Sequence, residues 1–383
     1  MNIAELLANE TLRHDAFPVT RERIFLGHAG VCPLPRRVAE AMAHVSLNGM
    51  SNDQETGLLD DFITTIRDRA AQLLHADAAE IALVGPTSVG LSLVANGLSF
   101  RKGDNIVVYF DDYPSNVYPW MALAEKGVQV RFLNTRGLGR IRPLDVLGQV
   151  DEQTRLVALA SCHFLSGWRL DLEAIGKGLR ARNVLFCVDG IQTLGAFPTT
   201  VEHVDFLAAD AHKWLLGPSG AGILYVRKAV QDRLRPTLLG WHNVRCPDFV
   251  TQERLTYRPD ARRYEAGTNN LVGLAGLSAA LALILEVGLD NIARELLRKR
   301  AWLIPALQDK GWTVLNADAP ENNQGGIFTL ARPDTDIPAV QARLLEENVV
   351  TSLRADRSGK RYLRLSPHYY NTDEELRKVV ELL

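Results

Sequence analysis

The sequence predicts an α/β protein whose mainly parallel sheet is covered by helices on both faces. Short apolar runs with the composition of buried strands occur at residues 81–84, 105–109, 128–133, 155–160, 184–188, 205–208 and 222–226. Patterns typical of helices separate most of them, at residues 91–98, 119–126, 143–150 and 172–182. Near-continuous apolar strands that alternate with helices are typical of parallel sheets buried on both faces. Ligands of such sheets bind beyond the carboxyl ends of the strands, so a site is expected in the residues that follow these runs.

The last hundred residues have a different pattern, in which helices dominate. Helical stretches at 291–308, 338–347 and 372–383 alternate with short strand-like runs at 312–315, 326–330 and 362–365. This pattern predicts a smaller α+β domain at residues 281–383, next to a large α/β domain at residues 19–280. Residues 1–18, which include a short polar helix, are expected to pack on the small domain.

Composition places the chain among ordinary globular proteins. It has 383 residues, of which 46% are hydrophobic and 23% charged, and its formal net charge is -2. This charge gives no electrostatic reason to expect nucleic acid or an anionic membrane as a partner. The apolar stretch 271–285 is shorter than the roughly 18–20 residues that cross a bilayer, so it is predicted to be a core helix.

The cysteine and histidine spacings exclude the common metal and disulfide frameworks. The four cysteines lie far apart without a C-x-x-C pair, and the nine histidines form no H-x-H or H-x-x-x-H pair. These spacings predict reduced thiols, a cytoplasmic protein and no metal site. The N-terminus also lacks the basic start and apolar core of a signal peptide.

One lysine lies between two apolar runs, where a long charged side chain is unusual. Lys213 follows the run 205–208 and precedes the glycine-rich run 217–222. A desolvated lysine has a lowered pKa and becomes a nucleophile toward carbonyl groups, which is the route to a Schiff base. The alternative is a solvated loop lysine, and other residues of the chain are needed to distinguish the two interpretations.

Two other strand ends carry polar residues with both a structural and a functional interpretation. Ser88, in a Gly/Thr/Ser turn that leads into a helix, is either an ordinary helix cap or part of a phosphate site. Asp189 follows the run 184–188, and its carboxylate needs a hydrogen-bond donor or a cation there. The partner could be the N-terminus of a helix, a basic side chain or a pyridinium nitrogen. Pyridoxal phosphate binding uses an Asp–pyridinium pair together with a Schiff-base lysine. Ser88, Asp189 and Lys213 together therefore indicate a site for pyridoxal 5'-phosphate.

Longer motifs follow one another in an informative order along nearly the whole chain. They are V-D-G-I-Q at 188–192, A-H-K-W-L-L-G-P-S-G-A-G-I-L-Y-V at 211–226, Y-E-A-G-T-N-N at 264–270 and R-L-S-P-H-Y-Y-N-T at 364–372. These motifs resemble those of the class V aminotransferase and cysteine desulfurase-like family of fold-type I pyridoxal phosphate enzymes. The resemblance implies the fold of that family, with a mainly parallel seven-stranded sheet in the large domain.

The resemblance assigns roles at the ring of the cofactor. Lys213 would form the Schiff base and move protons at the substrate α-carbon, and Asp189 would keep the pyridine nitrogen protonated. Gln192 would donate a hydrogen bond to the phenolic oxygen, and Tyr113 would stack on the ring. Arg364 would bind the substrate carboxylate, a bidentate contact for which arginine is suited.

It also assigns the phosphate site and a partner. Thr87, Ser88 and His212 would bind the phosphate, and Asp210, which stands where relatives often have a serine, is counted with the cofactor site. Thr268 would reach the phosphate in the neighbouring subunit, which implies a homodimer with shared sites.

Two further residues are predicted to line the substrate pocket. They are His28 and Trp241, for each of which ordinary packing is the alternative. Arg354 is considered too, with a salt-bridged surface arginine as the favoured alternative.

Departures from the family pattern bear on the reaction. Cysteine desulfurases have a catalytic cysteine shortly before the C-terminal arginine, but residues 352–364 contain none. Phe164 stands where desulfurases have an asparagine that contacts the ring. The segments F-L-S-G-W-R-L-D-L and A-D-A-H-K-W are closer to the isopenicillin N epimerase-like branch.

These observations predict a pyridoxal phosphate-dependent aminotransferase that acts at the α-carbon of an amino acid. The alternatives are a C–S or C–Se lyase and an amino-acid epimerase, which begin from the same bound substrate. A non-catalytic relative is disfavoured because five residues that the resemblance places in the site are all present, namely Lys213, Asp189, Gln192, His212 and Arg364. A nucleotide-binding oxidoreductase is excluded because no G-x-G-x-x-G follows the first strand.

Overall fold

The computed structural model describes residues 2–56, 58–59 and 61–383, and its centre is a seven-stranded sheet. The strands of the described chain, numbered in order, are β1 (Ile24–Phe25), β2 (Ile81–Val84), β3 (Asn105–Val108), β4 (Gln129–Phe132), β5 (Thr154–Ala160), β6 (Leu185–Asp189), β7 (Phe206–Asp210), β8 (Gly222–Val226), β9 (Thr313–Val314), β10 (Phe328–Ala331), β11 (Val349–Val350), β12 (Ser352–Ala355) and β13 (Arg361–Leu365). The central sheet has the order β2-β8-β7-β6-β5-β3-β4. Every pairing from β7 to β4 is parallel, whereas β8 runs antiparallel to both of its neighbours.

This sheet confirms the predicted fold class, and strand β6 shows why its sequence forms a buried central strand. Leu185 and Cys187 point into the core on one face of the sheet, whereas Phe186 and Val188 point into the core on the other. Successive side chains of a strand alternate between faces, so a strand covered on both sides must be apolar at every position. Asp189, at the carboxyl end, is the first residue of β6 that departs from this rule.

Helices cover both faces of the sheet. They are α1 (Ile3–Ala8), α2 (Glu10–Ala16), α3 (Arg36–Asn48), α4 (Phe62–Leu74), α5 (Thr87–Gly97), α6 (Tyr118–Met121), α7 (Pro143–Leu147), α8 (Leu172–Arg180), α9 (Leu271–Val287), α10 (Leu289–Asp309), α11 (Ile337–Glu346) and α12 (Asp373–Leu382). Helices α4, α8 and α9 pack on one face, and α5 packs on the other. The sequence patterns missed α3 and α4 and placed the start of α5 four residues late, at residue 91 instead of Thr87.

The C-terminal region has its own sheet and core. Strands β12-β13-β10-β9 form an antiparallel sheet, and helices α11, α12 and the second half of α10 pack against it. The predicted boundary at residues 280–281 falls inside α9, whose buried residues belong to the core of the large sheet. Because a helix is continuous, any division lies beyond Val287, and the division into two domains stays a prediction.

The N-terminal residues contact both regions. Arg13 forms an ion pair with Glu375 of α12 (2.6 Å), as expected for packing on the small domain. Leu6 and Phe17, however, are buried in the core of the large sheet, where Phe17 stacks on Tyr370 with ring centroids 4.1 Å apart.

Helix α9 is the apolar stretch that the sequence analysis predicted to be a core helix, and its central residues are buried. Within the described residues, no one helix has both the length and the apolar character to cross a membrane. The bent pair of α9 and α10, which meet at 73°, passes that test by length and composition.

Candidate active site

A cavity of about 240 Å³ opens at the carboxyl ends of the parallel strands, where the strand pattern predicted a site. Its wall consists of Ala29, Gly30, Val31, Pro86, Thr87, Ser88, Tyr113, Ser115, Phe164, Asp189, Ile191, Gln192, His212, Lys213, Arg354 and Arg364. Most of the residues predicted from the sequence line this cavity. Asp210, Thr268, His28 and Trp241 do not.

Lys213 and Asp189 are both almost completely buried in this wall. Burial lowers the pKa of Lys213, and the negative charge of Asp189 opposes that shift. Burial likewise raises the pKa of Asp189, and the nearby charge of Asp112 raises it further. The carboxylate of Asp189 accepts a hydrogen bond from the Ile191 N–H at 3.1 Å. A lysine with a lowered pKa and a carboxylate that favours a bound proton therefore share one cavity.

Two aromatic rings form the wall near the lysine. Nζ of Lys213 lies 5.2 Å from the centroid of the Tyr113 ring, which is 46% exposed. Phe164 contacts that ring edge to face, with centroids 5.5 Å apart. A planar ring bound in the cavity would have an aromatic surface to stack on.

The first turn of α5 is open to an anion. Among the described residues no side chain caps this turn, because the residue before the helix is Pro86. The N–H groups of Val89 and Gly90 donate to Pro86 O, so those of Thr87 and Ser88 and the helix dipole remain for an anion. Thr87 and Ser88 lie in that turn, and Ser88 Oγ donates a hydrogen bond to Ser115 Oγ (2.9 Å). Thr87 Oγ1 accepts from Asp210 N–H (2.9 Å). Two serine hydroxyl groups and a helix N-terminus thus belong to the cavity wall, where a phosphate group could bind.

Asp210, which the sequence analysis counted with the cofactor site, does not line the cavity itself. Its Oδ1 accepts from the N–H groups of Ala211 (2.8 Å) and Ala221 (3.1 Å), and its Oδ2 accepts from Gly220 N–H (3.0 Å). Oδ2 also lies 2.7 Å from Nδ1 of His212. The carboxylate is fully engaged by the chain, and its role is to orient His212, which does line the cavity.

Gln192 is held in place on both sides of its amide. Its Nε2 donates to Ala29 O (3.1 Å), and its Oε1 accepts from Trp214 Nε1 (2.9 Å). One N–H of the amide remains for a ligand, in line with the predicted hydrogen bond to a phenolic oxygen.

Two arginines converge at the other end of the cavity. Arg364 is 1% exposed, and its Nη1 donates to Phe164 O (2.6 Å), but its Nε and Nη2 have no hydrogen-bond partner in the described chain. A Cβ atom on Gly30 would lie 3.5 Å from Nη2 of Arg354 and 3.7 Å from Nη2 of Arg364. Burial, and next the charge of Arg354, lower the pKa of Arg364 to about 9. An anionic group of a ligand would satisfy both guanidinium groups.

His28 and Trp241, which were predicted to line the substrate pocket, lie outside this cavity. His28 is wholly buried outside the cavity, between Ser366 O (2.8 Å from Nδ1) and Tyr370 Oη (2.6 Å from Nε2). Both ring nitrogens of His28 are therefore used within the chain, next to the end of β13, and the structure does not place it in the pocket for which it was predicted. Trp241 is 43% exposed and packs against Phe249, so it does not line the pocket of its own chain.

Thr268 lines a different depression, together with Gly85 and Asn270. It therefore has no contact with the cavity of its own chain.

The sequence analysis missed several residues of the site. Arg354 lines the cavity, although a surface salt bridge was the favoured interpretation. Ser115, which lines the cavity, and Asp112, which lies behind it, were given no role, although both follow strand β3 and sites form at strand ends. Residues 29–31 could not be found in this way, because they follow no strand of the central sheet.

The family follows from comparison with known proteins. The family described as Aminotransferase class-V matches residues 24–379. The chain belongs to the class V aminotransferase family.

Members of this family similar to the chain have different names. A probable cysteine desulfurase of Methanothermobacter thermautotrophicus is 29% identical over 98% of both chains. An uncharacterized aminotransferase of Bacillus subtilis is 30% identical over 82% of this chain and 81% of its own length. These comparisons confirm that the chain is an enzyme of the class V family but leave its reaction open.

Solved structures confirm the fold. The apo structure of a cysteine desulfurase from Thermococcus onnurineus has a TM-score of 0.88 at 24% identity, covering 97% of this chain and 96% of that one. A cystine C–S lyase in complex with its product cysteine persulfide has a TM-score of 0.86 at 22% identity, covering 95% of this chain and 98% of that one. The fold is that of the fold-type I pyridoxal phosphate enzymes.

The cofactor of this class V enzyme is pyridoxal phosphate, and the cavity has groups that fit it. The open turn of α5 suits the phosphate, and Tyr113 offers a surface for the ring. The buried carboxylate of Asp189 suits a protonated pyridine nitrogen, and the buried amine of Lys213 suits the aldehyde.

Proposed function

We propose that the enzyme acts at the α-carbon of an amino acid, with Lys213 as the residue that binds the cofactor covalently. The supporting observation is the shared burial of Lys213, Asp189 and Arg364 in one cavity. Buried charged groups without full pairing are costly, and a ligand with a cationic ring and a carboxylate would pair them.

Each of these residues has a defined task in the proposed reaction. When bound, pyridoxal phosphate withdraws electrons from the bonds of the substrate α-carbon. Asp189 holds the proton on the pyridine nitrogen. Arg364, with Arg354, holds the substrate carboxylate and thereby orients the α-carbon. Nζ of Lys213 accepts the α-proton and returns it, because burial lowers the pKa of the amine to about 8, close enough to neutral pH for it to act both as a base and as an acid.

Transamination is the first proposed reaction. In this reaction Lys213 would move the α-proton away from the α-carbon, the amino group would stay with the cofactor, and water would release the carbon skeleton as a keto acid. The pocket allows it, since Lys213 lies beside the aromatic wall on which the ring would stack.

Carbon–sulfur bond elimination is the second candidate, and one observation favours it over sulfur transfer through a protein thiol. No cysteine lines the cavity in the part of the chain that the structure describes, and Cys32, Cys162 and Cys187 are buried. Burial raises the pKa of Cys162 to about 12, which keeps the thiol protonated. If the substrate is a sulfur amino acid, its sulfur would be released directly as sulfide or a small thiol and would not be transferred to a cysteine of the enzyme.

We further propose a homodimer in which Thr268 reaches the cofactor phosphate of the neighbouring subunit, in a cytoplasmic enzyme. Segment 238–255 supports an interface because it exposes Leu238, Leu239, Trp241, Phe249, Val250 and Leu255. Light scattering of the holoenzyme tests the mass, and a monomer at micromolar concentration would contradict the proposal.

Absorbance spectroscopy tests the central proposal. The purified enzyme, supplied with pyridoxal phosphate, is expected to show a visible band that Lys213→Ala lacks and that Lys228→Ala, which changes an exposed lysine, retains. Adding single amino acids then separates the reactions. Stoichiometric conversion of the band to that of the amine form of the cofactor indicates transamination, whereas release of sulfide or pyruvate with a surviving band indicates elimination. A wild-type protein without any Lys213-dependent band would refute the proposal.

A further inference from the structure

Asp112 is a second buried acid beside the site, and the roles described above do not use it. It is 7% exposed and lies directly before Tyr113, in the turn that follows β3. Residues 113 and 115 of this turn line the cavity, whereas Asp112 lies behind them. A buried carboxylate in such a place requires donors, and the donors indicate what it does.

The hydrogen bonds of Asp112 connect the turn to the end of strand β5. Oδ1 accepts from Tyr113 N–H (2.7 Å), and Oδ2 accepts from Asn116 Nδ2 (3.1 Å) and from Ala160 N–H (3.2 Å). Ala160 is the residue of β5 that pairs with Asp189 of β6 in the parallel ladder. Asp112 therefore fixes the aromatic wall of the cavity to the strand end beside Asp189.

The three donors are uncharged, so the hydrogen bonds leave the negative charge of Asp112 in the interior. The titratable groups that this charge reaches are Asp189, Lys213, Tyr109 and Cys162. Burial raises the pKa of Asp112 to about 6, although the hydrogen bonds from Tyr113, Asn116 and Ala160 and the charge of Lys213 lower it. The carboxylate is thus largely ionised at neutral pH.

We propose that Asp112 is a positioning residue that fixes the Tyr113 turn to the end of β5 and supplies a negative charge that favours protonated groups at Lys213 and at the pyridine nitrogen beside Asp189. The inference rests on the proposed role of Lys213. The hydrogen bonds set the position of the ring wall, and the charge of Asp112, which reaches Lys213 and Asp189, acts through a medium of low dielectric constant.

The test compares holoenzyme variants by titrating the visible absorbance band with pH. Asp112→Asn removes the charge, so protonation near Lys213 becomes less favourable and the midpoint of the titration falls by about 0.5–1 pH unit. The matched control is Asp111→Asn, which removes the same charge one residue earlier, where the carboxylate lies 3.5 Å from Arg357. The control is expected to keep the wild-type midpoint.

The outcomes separate a structural role from the proposed one. A residue that acts through packing alone would lower the melting temperature without moving the midpoint, so an unchanged titration in Asp112→Asn overturns the inference. If that variant does not fold, Asn116→Ser removes one donor and keeps the carboxylate. A smaller shift in the same direction is then expected, and an unchanged titration again overturns the inference. A wild-type protein without a Lys213-dependent band refutes the proposed function instead.

Discussion

Two buried arginines of this enzyme lie in surroundings that differ in their negative charge. Arg67 of α4, which is 6% exposed, donates to both carboxylate oxygens of Glu265, at 2.7 Å to Oε2, and to Ile81 O at 2.9 Å. Arg364 of β13 is even more buried, yet it donates to one carbonyl oxygen, and two of its nitrogens have no partner among the residues that the structure describes. An arginine that is completely paired holds two elements together, whereas an incompletely paired one is ready for an anionic ligand. Loss of the pair at Arg67 should therefore mainly lower stability, whereas substitution of Arg364 should mainly weaken substrate binding.

The largest effect is expected at the paired arginine. Glu265→Leu leaves the charge of Arg67 buried without its partner and removes the acceptor of Leu83 N–H, which lies 2.8 Å from Oε1. The free energy of unfolding, measured by urea denaturation of the apoprotein, should fall by about 3–5 kcal/mol. The control Glu173→Leu breaks an exposed ion pair with Lys177 and should leave stability nearly unchanged. Equal effects of the two variants would contradict the structural role of the Arg67–Glu265 pair.

The next effect concerns Arg364, for which function rather than stability should change. Arg364→Met removes the proposed partner of the substrate carboxylate, so kcat/KM for an active amino acid should fall by about 100-fold or more. The unfolding free energy should change by about 1 kcal/mol at most, because the lost hydrogen bond to Phe164 is offset by removal of a desolvated charge. Arg364→Lys keeps the charge but loses the planar fork, and should recover a part of the activity. A loss of stability as large as that of Glu265→Leu would remove the contrast between the two arginines.

The smallest effect tests whether Arg354 and Arg364 share one anion site. Gly30→Ala would place a methyl group between the two Nη2 atoms, 3.1 Å from Gly27 O, where a slight shift of the backbone is needed. The KM of an active amino acid should rise by about 10-fold while kcat changes less. The matched control is Gly49→Ala, whose methyl group would meet no atom closer than 3.5 Å and lies just after the C-terminal end of α3, outside the cavity wall. An unchanged KM for Gly30→Ala would place the carboxylate elsewhere.

The strand ends explain how much of the site the sequence could predict. Asp189, Lys213 and the turn at Thr87 each follow a buried strand, and parallel strands bring their carboxyl ends to one edge. The expectation that sites form at the carboxyl ends of parallel strands therefore identified residues that lie far apart in the chain. It overlooked Asp112, although that residue also follows a strand, because the sequence does not show that the turn folds back onto Ala160.

Histidines show where local sequence was insufficient. His28 and His212 both stand next to an alanine, and the sequence analysis assigned both to the site. His212 is held at the cavity wall by Asp210, whereas His28 is enclosed between Ser366 and Tyr370. The partners of His28 lie more than three hundred residues away, so its environment could not be inferred from its neighbours in the chain.

The sequence by itself determined the parallel sheet. Apolar strands that alternate with helices can bury both faces of a sheet in few other ways. It also determined the family and the lysine–aspartate pair, because these depend on residue type at the ends of strands. The tertiary structure decided which charges are paired. Whether Arg67, Arg354 or Arg364 meets a carboxylate depends on how a helix, a hairpin and a distant loop pack together, and pairing of buried charge is set by that geometry alone.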